Sequence, residues 1–466
     1  MKNYSRRKFI KILGATSVLL PVSGLLPGCG KKASAKVVIV GGGFGGSTCA
    51  KYLRGFDGSL DITLIDSSKR FVTCPFSNMV ISGMQTMDGI SHDYAAQTDR
   101  GVNVVHARVQ EVDAVARKVK LDNGKTLEYD RLVLSPGIDF KWYEIGGMQA
   151  TYAEIIPHSW QGGSQTVLLR NQLVAMPDGG VVIVAPPKNP FRCPPGPYER
   201  VSLIAHYLKQ HKPKSKILVL DAKDKFSKQA LFMQGWEKLY PGMVEWVAGS
   251  KGGRIEEVDV TARTLYTEFG DTHKGDVVNF IPPQKAGVIA HHAGLTNNDG
   301  WCFVDQRTFE SKVHKDIHII GDASIAGAMP KSGFAANSQG KVCAAAIVSS
   351  LRGIAMPDPS YVNTCYSLLS PDYGISVAAV YRYSEDKGIY KTGGGVSPLD
   401  ADAAYRLQEA RYAKGWYDSI TVDTFVLSMI TACYIAIMRY IYSTEALEND
   451  YERCRKIRYH LCNLVE

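Results

Sequence analysis

Lys36–Val40 (KVVIV) runs directly into Gly41-Gly42-Gly43-Phe44-Gly45-Gly46, and no other junction in the chain constrains the fold as much. Four apolar residues closed by glycine read as a strand buried on both faces, as in a parallel sheet. A helical stretch, Ser47 to Arg54, follows. Gly41, Gly43 and Gly46 fill the three positions of a dinucleotide loop. The first allows the tight turn, the second lets backbone approach a pyrophosphate, and the third lets helix pack closely on strand. The helix N-terminus then presents its positive dipole end to the phosphates. A second strand, Asp61 to Ile65, ends in Asp66, about 20 residues past the last glycine, where an acid accepts a ribose hydroxyl. A dinucleotide-binding α/β domain is therefore predicted.

Two later segments bear on which dinucleotide is bound. Tyr129 to Leu134 is an apolar strand breaking at Ser135-Pro136-Gly137, and Ile317 to Ile320 ends in Gly321-Asp322. Both resemble flavoproteins related to glutathione reductase, which carry two dinucleotide folds. The resemblance implies FAD, with Pro136, Gly137 and Gly321 in its cradle and Asp322 bonding the ribityl chain. Such proteins insert a second fold for a nicotinamide. Here the strand Val181–Val184 and a later strand, Lys216 to Leu220 with Asp221, stand in the right places. Between them, Ala185-Pro186-Pro187-Lys188-Asn189-Pro190-Phe191 replaces the glycine loop. Proline has no N–H to offer a pyrophosphate, and no glycine permits close approach. The insert is expected to keep its fold without a nicotinamide site.

Three longer motifs are more specific. Phe191-Arg192-Cys193-Pro194-Pro195-Gly196-Pro197-Tyr198-Glu199-Arg200, Tyr361 to Ser367 around Cys365, and Met329 to Gly340 around Lys331 resemble the flavoprotein subunit of flavocytochrome c sulfide dehydrogenase. The resemblance runs from about residue 36 to Phe425. It implies a redox disulfide between Cys193 and Cys365 over the flavin, with Cys365 on the flavin side. A sulfide anion attacking a disulfide leaves a persulfide and a thiolate, so the pair suits the chemistry. Glu199 is the candidate proton carrier, the alternative being a surface glutamate paired with Arg200. Lys331 is expected to place positive charge beside the reduced flavin. The family links FAD covalently at the position of Cys74. Pro75-Phe76 departs from its loop, so non-covalent FAD stays open. Cys49 and Cys343, among small apolar residues, read as core.

Composition narrows the rest. Net charge is +9 over 466 residues, but no basic stripe is interleaved with aromatics, so no nucleic-acid partner is expected. None of the ten cysteines is spaced C-x-x-C, and C-x-x-C-H is absent. No metal site and no haem of the chain's own are expected, and the implied c-type cytochrome is a separate subunit. Ser5-Arg6-Arg7-Lys8 before an apolar run reads as a twin-arginine export signal, hence a periplasmic protein. Lipidation of Cys29 in Leu26-Pro27-Gly28-Cys29 is one route to a membrane anchor, and the tail is another.

The organisation is then 1–35 export signal; 36–150 and 276–350 the two pieces of an FAD domain; 151–275 the inserted nucleotide-like fold; 351–425 a smaller C-terminal interface domain; and 426–466 an atypical tail. The expected activity is sulfide oxidation through the disulfide and FAD, with electrons passed to the cytochrome. Two alternatives stand beside it: a sulfide:quinone oxidoreductase at a membrane surface, and a non-catalytic flavoprotein partner in sulfur oxidation.

Overall fold

The computed structural model describes residues 34–427. The export-type segment with Cys29, and the tail with Cys433, Cys454 and Cys462, lie outside the described residues.

β1 (Lys36–Val40) is the middle strand of a five-stranded parallel sheet, with Val37 to Val40 buried. The chain turns at the glycines into α1 (Phe44–Phe56) and returns as β2 (Asp61–Asp66), paired with β1 from Lys36↔Asp61 to Val40↔Ile65. β3 (Asn103–His106) lies beyond β2. On the other side come β4 (Arg131–Leu134) and then the strand Ile317–Ile319. One sheet therefore joins residues from the two ends of the described chain.

The second sheet is built from β5 (Val181–Ala185), β6 (Lys216–Leu220), β7 (Val244–Val247) and β8 (Val277–Phe280), in the order β7-β6-β5-β8 and parallel throughout. Its crossover helices include α2 (Gly196–His211) and α3 (Gln229–Leu239). This fold begins with the same strand–loop–helix–strand unit as the first. One boundary moves: the sequence reading closes the insert at residue 275, yet Val277 to Phe280 pair with Val182 to Ala185 and complete its sheet. The strand is buried on both faces, so hydrophobicity alone could not say which of two parallel sheets it joins.

The chain then forms α4 (Gly333–Arg352), whose N-cap Ser332 accepts from the Ala335 N–H. An antiparallel meander follows, β9 (Ser360–Ser370), β10 (Tyr373–Ser384) and β11 (Gly388–Val396). α5 (Ala403–Phe425) packs back on it. Along β9 the two-residue period of a strand puts Asn363, Cys365 and Ser367 on the buried face while Val362 is exposed. The architecture is mixed α/β, two dinucleotide-type folds with a smaller C-terminal layer.

Candidate active site

A cavity of about 1020 Å³ opens at the C-terminal edge of the first sheet. Gly41, Gly43, Asp66, Pro136, Gly137, Gly321 and Asp322 line it, and so does Cys74. Gly46 stands one layer behind: a Cβ there would lie 1.9 Å from the Gly41 carbonyl oxygen, so only glycine lets the turn close. Asp66 accepts from the Gly42 N–H at 2.7 Å and the Ser68 N–H at 2.8 Å, which fixes its carboxylate at the cavity edge.

Asp322 is the feature that asks for a ligand. It is buried, and its Oδ1 has no hydrogen-bond partner among the described residues. Burial pushes its pKa up, and Arg192 and Lys331 work against that rise. An unsatisfied buried carboxylate oxygen costs free energy unless a donor meets it. A polyhydroxyl chain laid through this cavity would supply that donor, so the residues present fit FAD.

Cys193 sits just past β5, in the loop that leads to α2. Its φ of +56° lies in the left-handed region, uncommon outside glycine, so the surrounding structure must hold it there. Its N–H donates to the Lys331 carbonyl at 2.7 Å and its own carbonyl accepts from the Gly196 N–H at 2.8 Å. The sulfur lies against Gly196, on which the Trp160 ring also packs. The Trp160 carbonyl accepts from the Cys74 thiol at 3.5 Å and from the Arg192 guanidinium. Trp160 therefore bridges the first cysteine loop and the second.

Cys365 reaches the same place from β9. Asn363 Nδ2 lies 3.6 Å from its sulfur, and Ser332, next to Lys331, donates to Asn363 Oδ1 at 2.6 Å. Lys331, Ser332 and Asn363 thus link the two cysteines through consecutive contacts. Burial raises the Cys193 pKa, and the nearby Cys365, Glu199 and Cys74 raise it further, against Arg192. Burial also raises Cys365, but Lys228, Asn363 and Ser332 lower it. Cys193 and Cys365 are not joined to each other in this structure.

Glu199 lies in the first turn of α2 and does not pair with Arg200. Its carboxylate accepts from the Leu368 N–H at 2.9 Å and from Asn78 Nδ2 at 2.8 Å. Burial raises its pKa, so it keeps a proton to higher pH than an exposed glutamate. The surface-pair alternative is corrected: Arg200 is 2% exposed, and Asn78 stands between the two side chains, accepting from Arg200 Nε at 3.0 Å and donating to Glu199. Arg200 also donates to Asn279 and the carbonyls of His158 and Ser159, and lies 4.9 Å from the Trp160 ring centroid.

Lys331 is placed differently from the expectation. Its ammonium donates to the carbonyls of Asp322 (2.7 Å) and Ser324 (2.8 Å) and sits over Trp301, lining a neighbouring cavity. Arg192 and Arg108 are the arginines that line the flavin-sized cavity, Arg192 3.8 Å from Asp322. Cys49 and Cys343 are fully buried core thiols.

Sequence reading gave no role to Arg192, Trp160, Asn78, Asn363 or Lys228. For Asn363 a signal existed, since β9 alternates with polar side chains inward. For Lys228, in Lys225-Phe226-Ser227-Lys228, none did. Among the described residues no group of three His, Cys, Asp or Glu side chains is placed to hold a metal, and no helix is long and apolar enough to cross a membrane.

Comparison with known proteins agrees with this layout. Three family descriptions match in succession: pyridine nucleotide-disulphide oxidoreductase over residues 35–165, the central part of the sulfide dehydrogenase [flavocytochrome c] flavoprotein chain over 166–282, and the flavin-binding part of flavocytochrome c sulphide dehydrogenase over 357–425. A flavoprotein chain of sulfide dehydrogenase [flavocytochrome c] from Chlorobaculum thiosulfatiphilum is 60% identical over 45 residues, which are 10% of this chain and 94% of that sequence. The mitochondrial sulfide:quinone oxidoreductase of Mus musculus is 22% identical over 309 residues, 64% of this chain and 67% of that protein. Among solved structures, the sulfide:quinone oxidoreductase of Aquifex aeolicus superposes with a TM-score of 0.66 at 18% identity, over 89% of this chain and 96% of that one.

Proposed function

We propose, for a chain that belongs to the family of flavocytochrome c sulfide dehydrogenase flavoprotein chains, that Cys193 and Cys365 are a redox pair that takes electrons from sulfide for a c-type cytochrome. At the coarser level the chain is a sulfide-oxidising FAD flavoprotein. The observation that carries the finer reading is the convergence of Cys193 and the half-buried Glu199, from the loop and first turn of α2, with Cys365 of β9, beside a cavity whose aspartate has an oxygen without a partner among the described residues.

FAD, when bound, supplies the two-electron acceptor. Gly41, Gly43 and Gly46 would shape the turn for its pyrophosphate, Asp66 would hold its ribose, and Asp322 would bond its polyol chain. Pro136, Gly137 and Gly321 line the remainder, and Cys74, which lines the same cavity, is the residue we assign to a thioether link.

In the oxidised pair, HS⁻ attacks one sulfur, the S–S bond breaks, and one cysteine becomes a persulfide while the other leaves as a thiolate. Each turnover removes two electrons and one proton from HS⁻. Glu199, held by Leu368 and Asn78, is the group in reach to take that proton. Arg192 sets positive charge at the mouth between pair and cavity. We place the protein in the periplasm, on the twin-arginine pattern, where an oxidised pair persists.

The quinone-reducing alternative rests on the likeness to sulfide:quinone oxidoreductases over most of the chain. One experiment separates them. Anaerobic sulfide is titrated into the purified protein while flavin absorbance is followed, and then cytochrome c or a short-chain quinone is added. Bleaching followed by reoxidation with cytochrome c alone is the expected result. Reoxidation by quinone alone would transfer the chain to the second reading, and no bleaching would end both. Yellow colour remaining on acid-precipitated protein would establish the Cys74 link.

A further inference from the structure

Lys228 is the most buried ammonium group whose purpose the fold does not explain. It caps α3 with φ +61°, a left-handed backbone that costs a lysine free energy. The side chain is 8% exposed and runs inward to β9. Its Nζ donates to Ser367 Oγ at 2.8 Å and lies 3.5 Å from the Ile375 carbonyl. It forms no direct ion pair among the described residues. Ser367 is two residues from Cys365 on the same buried face of β9, and the charge held there acts on that sulfur. A buried ammonium without a contacting carboxylate is costly, and a structural peg into two oxygens needs no charge.

The surroundings give that charge a use. The groups that bear on Lys228 are Cys365, Glu199, Cys193 and Glu409, in that order behind burial itself. Glu409 is already engaged by Arg406, Ser376 and Ser397. Glu199 is engaged by Leu368 and Asn78. On the other side, Cys365 is faced by Lys228, Asn363, Ser332, Glu199 and Tyr381. Three of these favour its thiolate. Cys193 has one such neighbour, Arg192, against two cysteines and a glutamate.

We propose that Lys228 is a positioning residue that stabilises the negative charge appearing on Cys365, so that sulfide opens the pair by attacking Cys193 and Cys365 is the sulfur released. This rests on the redox-pair reading above. In atoms, HS⁻ forms a bond to Cys193 Sγ, the Cys193–Cys365 bond breaks, and its electron pair stays on Cys365 Sγ, where the ammonium acts on it. A disulfide leaves faster towards the sulfur whose thiol has the lower pKa. Burial pulls the Lys228 pKa down to about 8, so the group is still charged at neutral pH.

Two measurements on the FAD-loaded full chain test this. In the first, oxidised protein receives one equivalent of sulfide anaerobically, is denatured into iodoacetamide, and its peptides are weighed. The added sulfur atom should be found on Cys193 with at least about tenfold preference. Equal distribution, or sulfur on Cys365, overturns the proposal.

In the second, the pH dependence of Cys365 alkylation is followed in reduced Cys193→Ser protein, alone and with Lys228→Met or Lys228→Arg. Lys228→Met should raise the midpoint by one pH unit or more, which slows alkylation about tenfold at neutral pH. Lys228→Arg should restore it. A midpoint that Lys228→Met leaves in place overturns the proposal even if the variant is otherwise intact, since a merely structural lysine would not move it. If wild-type protein takes sulfur on neither cysteine, the redox-pair reading fails and the orientation of attack with it. The second measurement then reports on the Lys228–Cys365 coupling separately.

Discussion

The two nucleotide folds share a scaffold and differ in what their first loop carries. In the first, β1 ends in glycines, and Asp66 at the end of β2 faces the cavity with two backbone N–H groups on its carboxylate. In the second, β5 ends in Pro186-Pro187, and Asp221 at the end of β6 is fully buried. The side chains of Tyr198 (2.6 Å), Trp246 (3.1 Å) and Lys223 (2.6 Å) all donate to Asp221. The acid that faces the cavity in one fold is an internal anchor in the other. The second loop, without phosphate-binding glycines, carries Arg192 to the first fold's cavity and Cys193 next to it, with Glu199 in the helix that follows. The same βαβ unit thus serves once as a cofactor cradle and once as an arm for a sulfur atom, and the loop residues make the difference.

Substitutions at matching positions should separate these roles. The largest effect is expected for Gly46→Val, whose side chain would overlap the Gly41 carbonyl: purified protein should carry no FAD, read as the ratio of visible to ultraviolet absorbance. Retained FAD would mean that the first loop does not act as a cradle. Next, Cys193→Ser should keep FAD but slow sulfide-dependent bleaching by about 10³-fold or more, measured by stopped flow, because the attacked bond no longer exists.

The paired acids come third. Asp221→Ala should cost about 3–5 kcal/mol in denaturant unfolding, because it strands the buried Lys223, while FAD content stays normal. Asp66→Ala should do the reverse, weakening FAD binding about tenfold to a hundredfold through loss of a charge-assisted bond of ~1.5–3 kcal/mol, with little change in unfolding. If both acids behave alike, the contrast is lost. Smallest of all, millimolar NADH should leave the flavin spectrum unchanged over minutes, and rapid bleaching by NADH would show the second fold to be a working nicotinamide site.

Much of the site was legible because its signals are local. The roles of Gly41, Gly43 and Gly46 follow from backbone geometry within one turn, and Asp66 follows from strand spacing. Asp322 and the cysteine segments were legible through resemblance and not through pattern. Glu199 was ambiguous because an acid beside an arginine in a helix reads as a surface pair. Its carboxylate is held by the N–H of Leu368, 169 residues away. A boundary at residue 275 leaves Val277–Phe280 outside the insert whose sheet it completes, because a strand buried on both faces looks the same in either sheet.

The sequence by itself determined that a dinucleotide fold starts at Lys36, that a second fold lacks the loop for a nucleotide, and that cysteines lie in specific segments. Each of these is written in residues adjacent in the chain. Only the tertiary structure decided that Asp221 is sealed by Tyr198, that Arg192 and not Lys331 lines the cavity, and that the Lys228 charge acts on Cys365. Those facts turn on burial and on charges brought together over long separations, 139 residues between Lys228 and Ser367. The energy of a charge is set by what surrounds it in space, which neighbours along the chain do not specify.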